Sequence, residues 1–259
     1  MRLLKEQQIR YIRNITIGEI GEKGQERLLS SRVCIVGAGG LGSPCALYLA
    51  AAGVGRLLIV DQDKVELSNL QRQILHQTGD IGRAKVESAR RGIEALNPDV
   101  ELEIRKVRMD SSNIRELVRG SDFVIDATDN FESKFLINDA CVLETIPFSH
   151  AGVAGFGGQA LTYVPESACY RCIFESPPPQ GSYQGPEETG ILGSIAGLVG
   201  TIQATEAVKC MLGIGDLLTN RFLVCDGLSM TFNTIEVSRN RQCPVCGEHP
   251  TITEIRDGN

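Results

Sequence analysis

Short apolar runs alternate with amphipathic stretches through the first half of the chain. Residues 32–36, 56–60, 101–107 and 122–126 have the length and β-branched content of buried strands. Residues 43–52, 83–96 and 131–144 read as the helices between them. In the second of these helices Val86, Ala89, Ile93 and Leu96 recur every three or four residues and define one apolar face. Asn97 and Pro98 stop it, because the residue before a proline is pushed out of the helical region. This alternation predicts a parallel sheet with helices on both faces and a ligand at the carboxyl ends of its strands.

After Pro147 the pattern changes. Strand-like segments follow, with turn residues at 155–158 and then the segment 159–164, and strands are predicted again at 221–225 and 231–237. The loop 175–189 contains Pro177, Pro178 and Pro179, has no hydrophobic periodicity and reads as a mobile surface segment. Residues 190–212 read as a long helix of small residues. The apolar stretch 190–215 is interrupted by Gln203, Glu206 and Lys209, which marks a buried helix rather than a membrane span. The fold class is therefore α/β: a doubly wound sheet, parallel in the N-terminal half and continued by antiparallel strands, in a single unit over residues 1–259.

Composition removes some function classes. A chain of 259 residues is long enough for one substantial α/β domain, burying roughly 70–75% of its unfolded surface. A net charge of −6 and a pI of about 5.2 argue against a nucleic-acid partner, and the arginines between Arg83 and Arg91 read as a solvated helix face. The first residues lack the apolar core of a signal peptide. With no export signal, the nine cysteines point to thiols and metal ligands, and a cytoplasmic protein is expected.

The chemistry concentrates between residues 37 and 130. Gly37-Ala38-Gly39-Gly40-Leu41-Gly42 falls between a predicted strand and helix, where backbone N–H groups and a helix N-terminus can meet phosphate. Alone this turn, with Asp61 after the next strand, serves equally for NAD. The cations favour ATP: a triphosphate carries about four negative charges, and transfer of its α-phosphoryl group calls for Arg, Lys and Mg²⁺. Arg72 and Lys85 follow the second strand, and Asp129 closes a further apolar strand where it can hold Mg²⁺. Asp63 stands beside Asp61. Asn69, Gln73 and Asn130 suit ordinary loops, but their clustering around the cations favours phosphate and magnesium contacts. No Gly-x-x-x-x-Gly-Lys-Ser/Thr loop is present.

Cys169, Cys172, Cys243 and Cys246 form two Cys-x-x-Cys pairs, the four thiolates that a structural Zn²⁺ takes. The bland reading is unconnected buried or redox-active cysteines. Cys34, Cys45, Cys141, Cys210 and Cys225 lie in apolar segments and read as packing residues. His76, His150 and His249 fit no ligand or triad spacing and read as structural.

From about residue 8 to 247 the chain resembles the ThiF/MoeB/HesA family of ubiquitin-activating-enzyme-like adenylyltransferases. The likeness is carried by Arg10-Tyr11-Ile12-Arg13, the glycine turn, Asp61-Gln62-Asp63 and Ser68-Asn69-Leu70-Gln71-Arg72-Gln73. It continues through Lys85-Val86-Glu87-Ser88-Ala89, Asn97-Pro98, Thr128-Asp129-Asn130 and both Cys-x-x-Cys pairs. The resemblance implies a Rossmann-like sheet with a four-cysteine zinc knuckle, divided into a nucleotide-binding half (about 8–150) and a carrier-binding and zinc half (151–247). It implies ATP, Mg²⁺ and Zn²⁺ as cofactors and adenylylation of the C-terminal Gly-Gly carboxylate of a ubiquitin-like sulfur carrier. Asp61 is then expected on the ribose, Arg72 and Lys85 on phosphates, Asp129 on Mg²⁺, and Arg13 in the neighbouring site of a homodimer.

A separate sulfur donor would follow, toward molybdopterin, thiamin or another sulfur-containing product. Where many relatives place a reactive cysteine this chain has Pro186, so the reaction is expected to stop at the acyl-adenylate. Three other readings compete: an NAD-dependent redox protein, a tRNA-modifying dehydratase of the same superfamily, and a non-catalytic carrier-binding scaffold. The first leaves Arg72, Lys85 and Asp129 unexplained. The second calls for more basic character and no zinc pairs. Pyrophosphate exchange separates the third from an enzyme.

Overall fold

The computed structural model describes residues 3–179 and 189–256. Its centre is an eight-stranded sheet of order β3-β2-β1-β4-β5-β6-β7-β8. The strands are β1 (Arg32–Val36), β2 (Arg56–Val60), β3 (Glu101–Arg105), β4 (Phe123–Asp126), β5 (Phe148–Ala154), β6 (Gly157–Tyr163), β7 (Arg221–Asp226) and β8 (Thr231–Glu236). β1 to β5 pair in parallel, and β5 to β8 pair antiparallel. The predicted change of strand direction therefore falls at the β5–β6 hairpin. The chain winds outward from β1 in both directions, which opens a crevice between the ends of β1 and β4.

Each parallel strand feeds two cores, because successive side chains point to opposite faces. Val33 and Ile35 of β1, Leu57 and Ile59 of β2, and Phe123 and Ile125 of β4 pack on one side. They meet α4 (Gly42–Ala52), α5 (Lys85–Leu96) and α9 (Gly193–Leu212). Cys34 and Val36, Leu58 and Val60, and Val124 pack on the other side, against α6 (Ile114–Val118) and α7 (Phe131–Leu143). Burial on both faces is why these strands read as continuous apolar runs.

α9 is long and apolar enough to cross a membrane, yet half of it is buried against the sheet and α4. Gln203 and Glu206 face inward. Gln203 Nε2 donates to the carbonyls of Asp126 and Ser149, both at 2.9 Å, and Glu206 accepts from Thr162 Oγ1 and Leu218 N–H, both at 2.6 Å. They satisfy sheet and loop groups that would otherwise be buried unpaired.

Several boundaries differ from the pattern-based expectation. β3 stops at Arg105 rather than 107, and α9 begins at Gly193 rather than 190. Leu96 is exposed, so the apolar face of α5 ends at Ile93. The predicted turn at 155–158 is shorter, since β6 already starts at Gly157, and β5 has the strand character expected after Pro147 with bounds that the pattern does not set. α1 (Lys5–Arg10), α2 (Ile12–Ile15) and α3 (Gly21–Ser30) precede β1 without an apolar pattern to announce them. Tyr11 anchors this segment: its hydroxyl accepts from Asn97 Nδ2 at 2.8 Å, while the same amide donates to the Ala50 carbonyl at 2.7 Å. Asn97 thus ends α5 and ties it to α4. Most of the loop predicted at 175–189, Pro186 included, lies outside the described residues.

Candidate active site

A cleft of about 960 Å³ opens where β1, β2 and β4 end. Its floor is the glycine turn between β1 and α4. Gly37 N–H donates to the Val60 carbonyl at 2.8 Å, and the residue sits at φ 99°, where a side chain would lie 2.6 Å from the Ala127 carbonyl oxygen. Gly42 is required for a different reason: a Cβ there would fall 1.9 Å from the Gly37 carbonyl oxygen, so it allows α4 to start directly on the turn. The helix N-terminus then faces the cleft with its partial positive charge.

Asp61 closes the turn from the side. Its Oδ2 accepts from Ala38 N–H and its Oδ1 from Asp63 N–H, both at 2.8 Å. These bonds hold the carboxylate at the cleft edge and leave a lone pair on each oxygen for a ribose hydroxyl. Lys85, the first residue of α5, is buried and pairs through Nζ with Asp63 Oδ2 at 2.9 Å. The stem of Arg72 crosses the turn, 3.4 Å from the position a Cβ would take on Gly40, and its Nη1 donates to the Ser68 carbonyl at 3.1 Å. Gln73 lines the cleft with a buried Oε1 that accepts no hydrogen bond among the described residues. Asp129 and Asn130 form the opposite wall after β4.

The structure thus brings together Gly37, Gly39, Gly40, Asp61, Asp63, Arg72, Gln73, Lys85, Asp129 and Asn130 on one cleft. Three expected residues stand apart. Gly42 lies behind the turn. Asn69 is buried in the 3-10 turn Leu67–Asn69, where its Oδ1 accepts from Glu66 N–H at 3.0 Å. Arg13 is exposed on α2 and is not part of the lining. Asn130 has a second duty as the N-cap of α7, accepting from Ser133 N–H at 2.9 Å.

On the other side of the sheet, Cys169, Cys172, Cys243 and Cys246 gather, their sulfurs all within 4.8 Å of one another. Contacts of 3.9, 3.6 and 3.4 Å between them match the edges of a tetrahedron with metal–sulfur bonds of about 2.3 Å. Asn240 N–H points at Cys172 Sγ from 3.2 Å, the kind of donor that steadies a thiolate. The donor set fits Zn²⁺, and it would pin the C-terminal segment against α7 and α8 (Tyr170–Ile173). Among the other five cysteines, burial pushes Cys34 up to about 12 and Cys210 up to about 11, and raises Cys45, Cys141 and Cys225. Four of them are buried as expected. Cys210 is half-buried, and Cys225 also lines the cleft.

The ThiF family matches residues 11–245, nearly the whole described chain and every element of the cleft. The chain belongs to the ThiF family. It is 52% identical over 239 residues to the SAMP-activating enzyme E1 of Haloferax volcanii, covering 92% of this chain and 88% of that one. It is 43% identical over 263 residues to the sulfur carrier protein adenylyltransferase of Thermus thermophilus, covering 99% and 97%. These likenesses support adenylyltransferase activity in this ThiF-family chain. MccB of E. coli shares the fold with a TM-score of 0.82 at 21% identity, over 96% of this chain and 75% of that one.

One buried group in this ThiF-family chain escaped the sequence reading. Asp126, the last residue of β4, is fully buried beneath the Asp129 wall. Its Oδ1 accepts from Thr128 N–H at 3.1 Å and Thr128 Oγ1 at 2.6 Å, and its Oδ2 from His150 Nδ1 at 2.9 Å. Lys134 Nζ lies 3.4 Å from the same oxygen. Burial alone would raise Asp126, but the Lys134 charge and the His150 bond outweigh it and hold the carboxyl at about 2. Burial, with Lys134 close by, pulls His150 down to about 4 against the effect of Asp126. The one signal available in sequence was an acid ending an otherwise apolar strand.

Proposed function

We propose that this chain adenylylates the C-terminal glycine carboxylate of a ubiquitin-like sulfur-carrier protein, consuming ATP and releasing pyrophosphate. The observation that carries this reading is the convergence of Arg72, Lys85 and Asp129 on the glycine turn. Both reactants are anions, so the work of the site is to screen their repulsion and align them. Gly39 and Gly40 offer backbone N–H groups, Asp61 takes the ribose, and Arg72 and Lys85 neutralise charge developing on the phosphates. Asp129 and Asn130 would hold the Mg²⁺ that accompanies ATP and offsets the charge of its phosphates. The carrier carboxylate then attacks the α-phosphorus, the bond to the β-phosphate bridging oxygen breaks, and pyrophosphate leaves.

The antiparallel half, 151–247, is the natural seat of the carrier. Its edge strand β8 is exposed throughout and presents Phe232 and Ile235, with Phe156, Leu192, Leu228 and Met230 exposed nearby. Arg13 shares α2 with exposed Ile12, and Ile9 and Ile17 are exposed on either side, a surface suited to a second copy of the chain. In such a homodimer Arg13 would serve the partner's cleft. A separate sulfur donor would convert the acyl-adenylate to a thiocarboxylate. ATP and a carrier protein are reactants of the cytoplasm, where this reading places the enzyme. The test is exchange of labelled pyrophosphate into ATP with Mg²⁺ and candidate carriers ending in Gly-Gly. Exchange that requires a free terminal carboxylate is expected, and exchange with no carrier, or none with any carrier, counts against the reading.

A further inference from the structure

We propose that His76 is a positioning residue that aims the Gly39 amide at the nucleotide phosphates. The inference rests on the reading of the cleft as an ATP site. His76 lies between β2 and α5 with its ring buried, and it is not part of the cleft lining. Its Nε2 is 2.8 Å from the Ala38 carbonyl oxygen, and its Nδ1 is 2.8 Å from Ser88 Oγ. Ser88 Oγ in turn is 2.8 Å from Asp80 Oδ2. Asp80 is held by Arg91 at 2.7 Å and Arg83 at 3.3 Å. An unbroken polar chain therefore runs from two partly exposed arginines, through α5, to the glycine turn.

Donor and acceptor counting fixes the ring. A carbonyl oxygen only accepts, so Nε2 carries a hydrogen. In the neutral ring, the single hydroxyl hydrogen of Ser88 is divided between Nδ1 and Asp80. With both ring nitrogens protonated, every contact in the chain is satisfied. Burial pulls His76 below the usual histidine value and Lys85 adds to this, while the Ala38 carbonyl, Asp61 and Asp80 act the other way. In either protonation state the hydrogen on Nε2 faces Ala38. The remaining tautomer would set two lone pairs against each other at that contact.

The consequence lies one bond further on. The described residues contain no cis peptide, so the Ala38–Gly39 peptide is planar and trans, with its C=O and N–H pointing in opposite directions. Holding the carbonyl toward His76 turns the Gly39 N–H the other way, toward the cleft that Gly39 lines. That N–H has no backbone acceptor among the described residues. Asp61 takes the Ala38 N–H on the preceding peptide, so two side chains of the connection between β2 and α5 fix the peptides on both sides of residue 38. This leaves the Gly39 donor preorganised for an anion.

The test compares ligands with and without phosphate on the full-length, zinc-loaded protein. With His76→Leu, ATP binding measured by calorimetry is expected to weaken about tenfold, the effect of one misaimed hydrogen bond, while adenosine binding by NMR titration stays within about twofold. His76→Gln, whose Nε2 hydrogens occupy the place of the ring N–H, is expected to regain most of the loss. In wild type, ¹⁵N spectra of the ring should show Nε2 protonated, a readout that does not depend on any variant folding. Equal weakening of ATP and adenosine, no recovery in His76→Gln, or a hydrogen-free Nε2 overturns the proposal. Wild-type protein that shows Nε2–H yet binds no ATP overturns the nucleotide reading of the cleft and the role of His76 with it. Normal ATP binding that His76→Leu leaves untouched overturns the role of His76 alone.

Discussion

Lys134 and Asp126 clamp the turn that carries Asp129 from beneath. The Lys134 ammonium donates to the carbonyls of Thr128 and Ala151, both at 2.7 Å, and stands 3.4 Å from Asp126 Oδ2, while Asp126 Oδ1 takes the Thr128 N–H and hydroxyl. The residue just before Asp129 is thereby held through its carbonyl, its amide and its side chain. Removing the cation with Lys134→Met leaves a buried carboxylate without its main partner. The expected loss of stability is about 3–5 kcal/mol in denaturant unfolding. Lys134→Arg is expected to keep more of it than Lys134→Met.

The same cluster predicts a pH dependence with a definite sign. His150 is depressed from 6.5 to about 4, so the unfolded chain binds its proton first as pH falls. Its contribution is complete above pH 6.5 and drains away toward pH 4. Asp126 is depressed from 3.8 to about 2, so its contribution is complete above the unfolded carboxylate value and is lost as pH falls through 2. His150→Asn keeps a donor where Nδ1 stands but cannot titrate. The variant is expected to lose the share of the slope between pH 6.5 and 4 that His150 contributes, the remainder coming from His76, which burial also holds below the usual histidine value, and to keep the slope below it. An unchanged upper slope would show that His150 contributes nothing to it.

Lys85→Ala and Arg72→Ala are each expected to slow carrier-dependent pyrophosphate exchange about a hundredfold, the usual effect of removing one preorganised charge from a transition state. Lys85 adds a structural note, because its loss leaves the half-exposed Asp63 carboxylate facing the phosphates. Asp63→Asn is therefore expected to lose less than Lys85→Ala and to raise the KM for ATP less. Exchange that both cation variants leave intact removes the catalytic assignment.

The extent to which these features were legible follows from burial. β1 and β2 were bounded to the residue because both their faces are covered, which leaves uninterrupted apolar runs. β5 could not be bounded from its sequence because its half toward the hairpin, Ala151-Gly152-Val153-Ala154, has a single large apolar side chain and no alternation to detect. α1 and α2 escaped because Ile9 and Ile12 point outward, so no buried stripe marks them. Within the cleft the charged residues could be found by type and position. Asn69 could not be told from Gln73, since the same short segment sends one amide into its own turn and the other into the cleft. Asp126 could not be singled out, and His76 could be read only as a structural residue, because the roles of both depend on partners far along the chain.

Zinc is expected at one ion per chain by elemental analysis, from the gathered sulfurs of Cys169, Cys172, Cys243 and Cys246. Binding of this kind is coupled to folding, so Cys172→Ser is expected to lower thermal stability as well as metal content. Protein purified without chelators and found free of zinc would remove the claim.

Arg13 offers a test of the proposed dimer that needs no structure. Arg13→Ala and Lys85→Ala chains are each expected to be nearly inactive alone. When they are mixed and allowed to exchange, half the dimers carry both chains. Each mixed dimer then holds one cleft with its own Lys85 and an arginine supplied by the other subunit, and one cleft lacking both. About a quarter of wild-type activity should return, as the arithmetic of a two-fold assembly requires. Recovery must depend on subunit exchange, followed by a mass label on one chain. If exchange is complete and activity stays at the level of the single variants, Arg13 acts within its own chain or not at all. The exposed Ile9, Ile12 and Ile17 would then need another explanation.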